Sequence, residues 1–153
     1  MTVYEELLEE ANSNGLIVRE KSLSGSNGRI YKNRIAISSR LKTSAEKACV
    51  LAEEIGHHHT AIGNIIDMQN VENLRQEQKG RLYGYNRMIG LRGIISAFRA
   101  GCQNRYEIAE HLHVTEEYLQ EAIDCYKEKY GVCTTVDNYV IYFIPNLAVM
   151  ELI

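Results

Sequence analysis

The chain has 153 residues, of which 45% are hydrophobic and 24% are charged, and its formal net charge at pH 7 is −3. This length suits one domain with a sizeable core. The small negative charge gives no electrostatic reason to expect a nucleic acid or an anionic membrane as a direct partner. No apolar run approaches the roughly 20 residues of a membrane span, and the acidic start MTVYEELLEE is unlike a signal peptide. We therefore expect a cytoplasmic protein.

The cysteines point to the same compartment. None of the four belongs to a C-x-x-C pair, and a predicted helix end separates the last two. We expect all four to be reduced thiols, and this spacing disfavours cysteine as a metal ligand. They are Cys49, Cys102, Cys125 and Cys133.

A helix and three short strands are predicted in the first forty residues. Leu7, Leu8 and Ala11 form the inner face of a helix over residues 3–13, which ends at Asn14-Gly15. The first strand is a short apolar run, and alternating apolar and polar residues predict the second and third as a hairpin. These strands are Leu16–Val18, Arg29–Tyr31 and Arg34–Ser38, with a polar turn at 22–27 and a hairpin turn at Lys32-Asn33.

The next predicted helix carries the most informative segment, LAEEIGHHHT. Thr43 and Glu46 have capping-box spacing, so the helix is expected to begin at Ser44, and Gly63-Asn64 is expected to end it. Small and apolar residues recur along it at helical spacing, which predicts tight packing inside a core. They are Ala45, Ala48, Cys49, Ala52, Ile55 and Gly56.

Glu53 and His57 are four residues apart, so on this helix they share a face and could bind one metal ion. Glu54 is rotated by about 100° and could act as a general base on a water at that metal. Two adjacent carboxylates repel each other, and a divalent cation would relieve the repulsion. The spacing alone leaves two other interpretations open: Glu53 is an ordinary residue of a solvated helix face, and the three histidines are a chance run.

The second half of the chain completes an α+β order of elements. Hydrophobic periodicity predicts helices, and alternation near the C-terminus predicts a hairpin. Pro145 is the only proline and is expected to end the last strand. The elements are a loop or short turn at 64–71, helices at about 72–88 and 91–100, and strands at Thr134-Thr135 and Tyr139–Ile144 joined by Asp137-Asn138.

Residues 105–130 have the pattern of a helix-turn-helix, with Thr115 as the N-cap of its second helix. A helix that recognises DNA presents Arg, Lys, Asn or Gln at its start. Here the start is Thr115-Glu116-Glu117, and glutamates repel phosphates. We therefore interpret this segment as a packing unit or a protein-docking surface.

Four segments, in order, resemble the ImmA/IrrE family of zinc metallopeptidases from phages, mobile genetic elements and bacterial chromosomes. They are YEELLEEANSNGLIV, GRIYKNRIAIS, KACVLAEEIGHHHT and NLRQEQKGRLYGYNRMI. The resemblance covers about residues 3–145, and its specific part is the metal helix followed by R-Q-E-x-x-G. It implies one α+β, zincin-like metallopeptidase domain over 1–153, with a small helix-turn-helix-like segment and short β-hairpins.

The resemblance also assigns the site. Glu53 is at the first metal-ligand position, where H-E-x-x-H has its first histidine, and His57 is at the second. Glu54 matches the catalytic general base. Glu77 in RQEQKG matches the third ligand, with Gly80 where alanine is usual. Zinc is the implied metal, and the extra carboxylate hardens the ligand set, shifting preference modestly toward manganese, iron or magnesium.

Other residues near the motif have lesser roles. Glu54 and His58 form a second i, i+4 frame, which ranks below the first because it has no adjacent base at the usual offset. His59 is expected to pack or to hold a ligand in place. Tyr83 or Tyr85 could donate a hydrogen bond to an oxyanion at the metal.

Three functions are compatible with these observations. The resemblance implies a cytosolic hydrolase that inactivates a phage or mobile-element repressor encoded nearby, by site-specific cleavage. A second function is an antirepressor that binds the same repressor without cutting it. A third is a DNA-binding regulator that uses residues 105–130, which the acidic net charge and the glutamates of its second helix disfavour.

Overall fold

The computed structural model of the protein describes residues 1–60 and 70–153, with side chains described for 1–60 and 75–153. These residues have a mixed α+β structure with six helices and two three-stranded sheets. They divide into two compact units, Met1–Tyr85 and Asn86–Ile153. The expectation of one metallopeptidase domain over 1–153 stays a prediction. None of the described helices is both long and apolar enough to cross a membrane.

The N-terminal unit is built around one helix, α2 (Ser44–Thr60), which contacts another helix, α1 (Val3–Ser13), and two strands, β2 (Gly28–Tyr31) and β3 (Arg34–Ser38). Its core contains Leu7 of α1 and Leu51 of α2, both of which are 0% exposed. Burying each of these side chains contributes about 1.5–3 kcal/mol to the stability of the fold. The elements of the unit are α1 (Val3–Ser13), β1 (Ile17–Lys21), β2 (Gly28–Tyr31), β3 (Arg34–Ser38), α2 (Ser44–Thr60) and α3 (Asn70–Met88), whose last residues belong to the second unit.

The sheet of this unit has the strand order β1-β3-β2. The central strand β3 is parallel to β1 and antiparallel to β2. Side chains alternate between the two faces of a sheet. Ile35 and Ile37 are buried on the face that α2 covers, whereas Arg34 and Ala36 belong to the opposite face.

The predicted helix start after Thr43 is confirmed, with Thr43 as the N-cap of α2. The Thr43 hydroxyl accepts a hydrogen bond from the Glu46 backbone N–H at 3.0 Å and donates one to Glu46 Oε1 at 3.1 Å. The first of these bonds satisfies a helix N–H that would otherwise lack a partner. Because each later residue of a helix is rotated by about 100° from the last, the cap also fixes which residues of α2 face the sheet.

Two glycines allow α3 to approach α2 closely. A Cβ atom built on Gly56 would collide with the carbonyl oxygen of Gly80 and lie 3.2 Å from Tyr83 Cβ. A Cβ atom built on Gly80 would collide with the His57 ring. The two helices therefore meet through their backbones at this crossing.

The C-terminal unit combines helices with an antiparallel sheet of three strands, β4 (Cys133–Val136), β5 (Tyr139–Tyr142) and β6 (Ala148–Glu151), in that order. Tyr126 is fully buried there, and its hydroxyl donates to Asn86 Oδ1 at 2.8 Å. The elements are α4 (Gly90–Arg99), α5 (Arg105–Leu112), α6 (Glu116–Tyr130), β4 (Cys133–Val136), β5 (Tyr139–Tyr142) and β6 (Ala148–Glu151).

Helices α5 and α6 form the helix pair predicted for residues 105–130. Thr115 caps α6 by accepting from the Tyr118 backbone N–H at 3.1 Å. Arg105 donates to Gln120 Oε1 at 2.6 Å and lies 3.5 Å from a carboxylate oxygen of Glu116. The polar start of α6 is therefore engaged within the unit, which supports the interpretation as a packing unit.

The predicted elements differ from the structure mainly at strand ends. The strand predicted at Leu16–Val18 is Ile17–Lys21, because its polar half also pairs with β3. Strand β5 ends two residues before Ile144, and β6 is an additional strand paired with β5. The predicted helix end at Gly63-Asn64 and most of the predicted loop at 64–71 lie outside the described residues.

Gly56→Ala is expected to destabilise the protein by about 1–3 kcal/mol, because the added methyl group meets the Gly80 backbone. Gly93→Ala is the matched control on α4. Its new Cβ would lie 3.3 Å from Leu112 Cδ2, which can adjust, and alanine gains up to about 1 kcal/mol in helix propensity. Equilibrium urea unfolding measures both, and wild-type stability of Gly56→Ala would contradict the close crossing.

Candidate metal centre

Three of the predicted site residues converge on one point. The His57 Nε2 atom lies 3.7 Å from Glu53 Oε1 and 3.6 Å from Glu77 Oε2. One ligand atom from each residue lies within 4.8 Å of the others. Glu53 and His57 lie on successive turns of α2 and Glu77 lies on α3, so the cluster depends on the helix crossing at Gly56 and Gly80.

The separations between the ligand atoms suit a single ion. Zinc bonds of about 2.1 Å in tetrahedral geometry place neighbouring ligand atoms about 3.4 Å apart. The two distances measured at His57 exceed that value by only a few tenths of an ångström. Within the described residues, Glu53, His57 and Glu77 are the one group of three such side chains that could hold a metal ion. Three protein ligands leave a position for water or substrate.

The His57 ring lies directly against the backbone of α3. A Cβ atom on Gly80 would collide with Nδ1 and lie 3.0 Å from Cγ of that ring. Glycine at position 80 therefore leaves the space that the imidazole occupies. This contact orients Nε2 toward the two carboxylates, since the opposite edge of the ring faces the helix.

Glu54 lies beside the cluster and is 8% exposed. Strand β2 covers it: a Cβ atom on Gly28 would lie 3.2 Å from Glu54 Oε1. Burial is the main cause that raises the pKa of Glu54 to about 7, with His57 opposing and the charges of Glu53 and Glu77 adding to the rise. A carboxyl group that titrates near neutrality can both accept and donate a proton.

Glu53 and His57 stabilise each other's charged forms. The charged contact with His57, at 3.7 Å, lowers the pKa of Glu53, against the effect of burial, and Arg81 contributes to the lowering. The same contact raises the pKa of His57, again against burial. An imidazolium facing a carboxylate is therefore favoured before metal binds, and a metal ion has to displace that proton.

Arg81 is a site residue that the motif did not reveal. Its Nε atom lies 3.2 Å from Glu53 Oε1, the same oxygen that faces His57. Arg81 is four residues after Glu77, so both side chains extend from one face of α3. That spacing is the sequence signal that could have identified Arg81, once Glu77 was placed in the site.

The remaining histidines and tyrosines lie around the cluster. His58 and Glu54 are not members of the metal-binding group found in the described residues, so the second frame has no third ligand there. His59 is exposed, and its ring packs on that of Tyr83 with a centroid distance of 5.1 Å. Tyr85 is buried. A role for either tyrosine at an oxyanion stays a prediction.

Comparison with known proteins adds no independent assignment. No protein-family model, curated protein or solved structure matches this chain. The site is therefore defined by the geometry of its own residues, and membership of the ImmA/IrrE family stays a prediction.

Proposed function

We propose that the protein is a metal-dependent peptidase of the ImmA/IrrE type with a zincin-like domain. In this proposal it acts in the cytoplasm and inactivates a phage or mobile-element repressor encoded nearby, by site-specific cleavage. The observation that carries the proposal is the convergence of Glu53, His57 and Glu77 beside the buried Glu54. The sequence resemblance supplies the reaction class and the repressor as the partner.

Each site residue has a role that its position allows. Glu53, His57 and Glu77 hold the ion, which when bound supplies Lewis-acid chemistry for a water and a peptide carbonyl. Glu54 accepts the proton of the attacking water and returns it to the leaving amine. In the metal-free protein, burial raises the pKa of Glu54 to about 7, so both its protonated and its ionised forms are accessible near neutral pH.

Zinc is the metal we propose, because three protein ligands with a further open position are typical of catalytic zinc sites. The ligand set of one imidazole and two carboxylates is harder than that of two imidazoles and one carboxylate. Manganese or another divalent ion would therefore compete better here than in an H-E-x-x-H site. The added negative charge also weakens the ion as a Lewis acid, so we expect slow turnover.

A non-proteolytic antirepressor is the second candidate, and Arg81 favours it. The Arg81 guanidinium, 3.2 Å from Glu53 Oε1, supplies positive charge to a carboxylate that an ion would otherwise neutralise. The carboxylates are then partly neutralised without a metal. A protein of this kind would bind the repressor through its surface and leave the repressor chain intact.

His57→Ala is expected to weaken zinc binding by more than about 100-fold, since loss of a ligand should exceed the 10–100-fold typical for residues that support ligands. Glu77→Gln should also weaken zinc binding. His58→Ala is the matched control, because it also removes one imidazole from the same helix. Isothermal titration calorimetry with elemental analysis measures the binding. Full zinc occupancy in His57→Ala would place the site elsewhere.

The metal-free protein is expected to lose stability as the pH rises from about 5 to about 8. Burial raises the pKa of Glu54 from 4.5 in the unfolded chain to about 7 in the folded protein. Between these two pH values the unfolded chain loses its proton more readily, so stability falls as the pH rises. The charged contact with Glu53 raises the pKa of His57, so the stabilisation that the protonated ring gives is lost as the pH rises through the folded pKa. The pKa of Glu53 is lowered, so protonation of Glu53 changes the stability only below about pH 4.5, outside this range.

Thermal unfolding midpoints measured in chelator across this range test the prediction. Glu54→Gln should flatten the decline between pH 5 and 7, because an amide does not titrate. Glu9→Gln, which changes an exposed carboxyl on α1, is the control and should leave the slope unchanged. A stability that rises from pH 5 to 8 in chelator would contradict the charge assignment.

Glu54→Gln also separates the two candidate functions. If the protein is a peptidase, the variant should keep zinc and the repressor contact but lose turnover by about 100-fold or more, since an amide cannot accept the proton. A reporter of repression in cells, with immunoblotting of the repressor, gives both readouts. A shorter repressor fragment with wild type and not with Glu54→Gln supports cleavage. Full derepression with an intact repressor supports the antirepressor instead.

A further inference from the structure

The outer face of the N-terminal sheet, on the side away from α2, is strongly basic. Strand register places Arg34 of β3 between Ile17 and Tyr31, and Ala36 between Arg19 and Arg29. Lys21 follows Arg19 on the same face of β1. We name this surface, Ile17, Arg19, Lys21, Arg29, Tyr31, Arg34 and Ala36, the basic sheet face. It lines an open depression of about 460 Å³.

The charge of this region opposes that of the whole chain. Residues 21–45 contain six lysines and arginines and no aspartate or glutamate, although the chain has a net charge of −3. No acidic residue is among those that line the basic sheet face in the described part of the chain. The four cations on it are exposed.

The acidic residue of β1 is held on the other side of the sheet. Glu20 Oε1 forms an ion pair with Lys47 of α2 at 2.9 Å, and Glu20 Oε2 accepts from the Tyr4 hydroxyl at 3.3 Å. The contact with Lys47 at 2.9 Å lowers the pKa of Glu20. The carboxylate is therefore kept away from Arg19 and Lys21 by the strand alternation and by its partners.

The basic sheet face also offers apolar and aromatic contact. Tyr31 is 69% exposed and Ile17 is 41% exposed, and they flank Arg34 in one row across the sheet. The Lys32 ammonium lies 5.5 Å from the Tyr31 ring centroid. Arg29 donates to Ser26 Oγ at 3.3 Å and to the Ser24 carbonyl at 3.1 Å, which positions its guanidinium without neutralising the charge.

From these contacts we infer that the basic sheet face binds single-stranded nucleic acid. Proteins that bind single strands combine a cationic track for the phosphates with an exposed aromatic ring on which a base stacks. Arg19, Lys21, Arg29 and Arg34 provide the track, and Tyr31 provides the ring. Arginine side chains can also stack on bases.

The shape of the basic sheet face favours a single strand over a duplex. Its outer strands are about 10 Å apart before side chains are added. The major groove is about 12 Å wide and admits a helix or a two-stranded ribbon, so a three-stranded face does not enter it. Stacking on Tyr31 also requires an unpaired base. An acidic peptide would satisfy the cations, but its carboxylates do not stack on an aromatic ring as a base does.

Fluorescence anisotropy with labelled dT and U oligomers of about 12 nucleotides tests the inference on the intact chain. We expect binding that weakens with salt, with a slope of log K against log salt of about −3 for four phosphate contacts. Tyr31→Ala should weaken binding by about fivefold or more at unchanged slope, because stacking is lost, and Tyr31→Phe should restore it.

The charge is tested with matched reversals. Arg34→Glu should weaken binding by about tenfold or more at low salt and reduce the slope, because it removes a phosphate contact and adds repulsion. Arg99→Glu on α4 makes the same change in net charge at an exposed position of the other unit and should leave binding unchanged. Circular dichroism checks that both variants fold, and Arg34→Gln tests loss of charge without repulsion.

Four results would overturn the inference. The first three are equal loss of binding in Arg34→Glu and Arg99→Glu, equally tight binding of a duplex of the same length, and equally tight binding of an oligoglutamate peptide. The fourth is displacement of the oligomer by vesicles containing phosphatidylserine at a lower concentration of anionic groups than unlabelled dT requires, which would assign the face to a membrane surface. Zinc binding by Glu53, His57 and Glu77 is measured separately and does not depend on any of these outcomes.

Discussion

The candidate site depends on the backbone contact between α2 and α3 at Gly56 and Gly80. Without side chains at these two positions, the helices come close enough for Glu77 to reach the ligands on α2. The same contact presses the His57 ring against α3 and fixes the direction of its Nε2 atom. A methyl group at Gly56 would meet the Gly80 carbonyl oxygen, and one at Gly80 would meet the His57 ring, so either would have to displace a neighbour of the site. Packing and ligand geometry are therefore set by one steric constraint.

Burial of Glu54 follows from the second neighbour of α2, the sheet. Gly28 of β2 lets the strand lie over the carboxyl group, which raises its pKa to about 7. Glu53, one residue earlier, has a lowered pKa because His57 and Arg81 face it. Two adjacent carboxyls thus have different proton affinities, one suited to ionic contact and the other to proton transfer. The difference arises from which surface of α2 each one occupies.

The sequence predicts the parts of this arrangement that depend on local chemistry. The capping box at Thr43 and the i, i+4 spacing of Glu53 and His57 specify a helix and a shared face, and both are confirmed. The proximity of Glu77 to these two residues was expected only from the family resemblance. Sequence spacing predicts contacts within one helix, and it does not predict contacts between residues on two different helices. Arg81 was missed because its partner is on another helix. Strand β6 was missed because pairing with β5, and not its own alternation, makes it a strand.

Net charge predicts little about a face of the molecule. The value of −3 gave no reason to expect a nucleic acid partner, yet strand alternation sorts the charges of β1 onto opposite faces. Glu20 pairs with Lys47 beneath the sheet, and Arg19 and Lys21 are left above it. A ligand within a Debye length of about 10 Å responds to that local field and not to the sum over the chain. A chain that is acidic overall can therefore present a cationic surface, provided that its acidic side chains have partners on the other side of a strand.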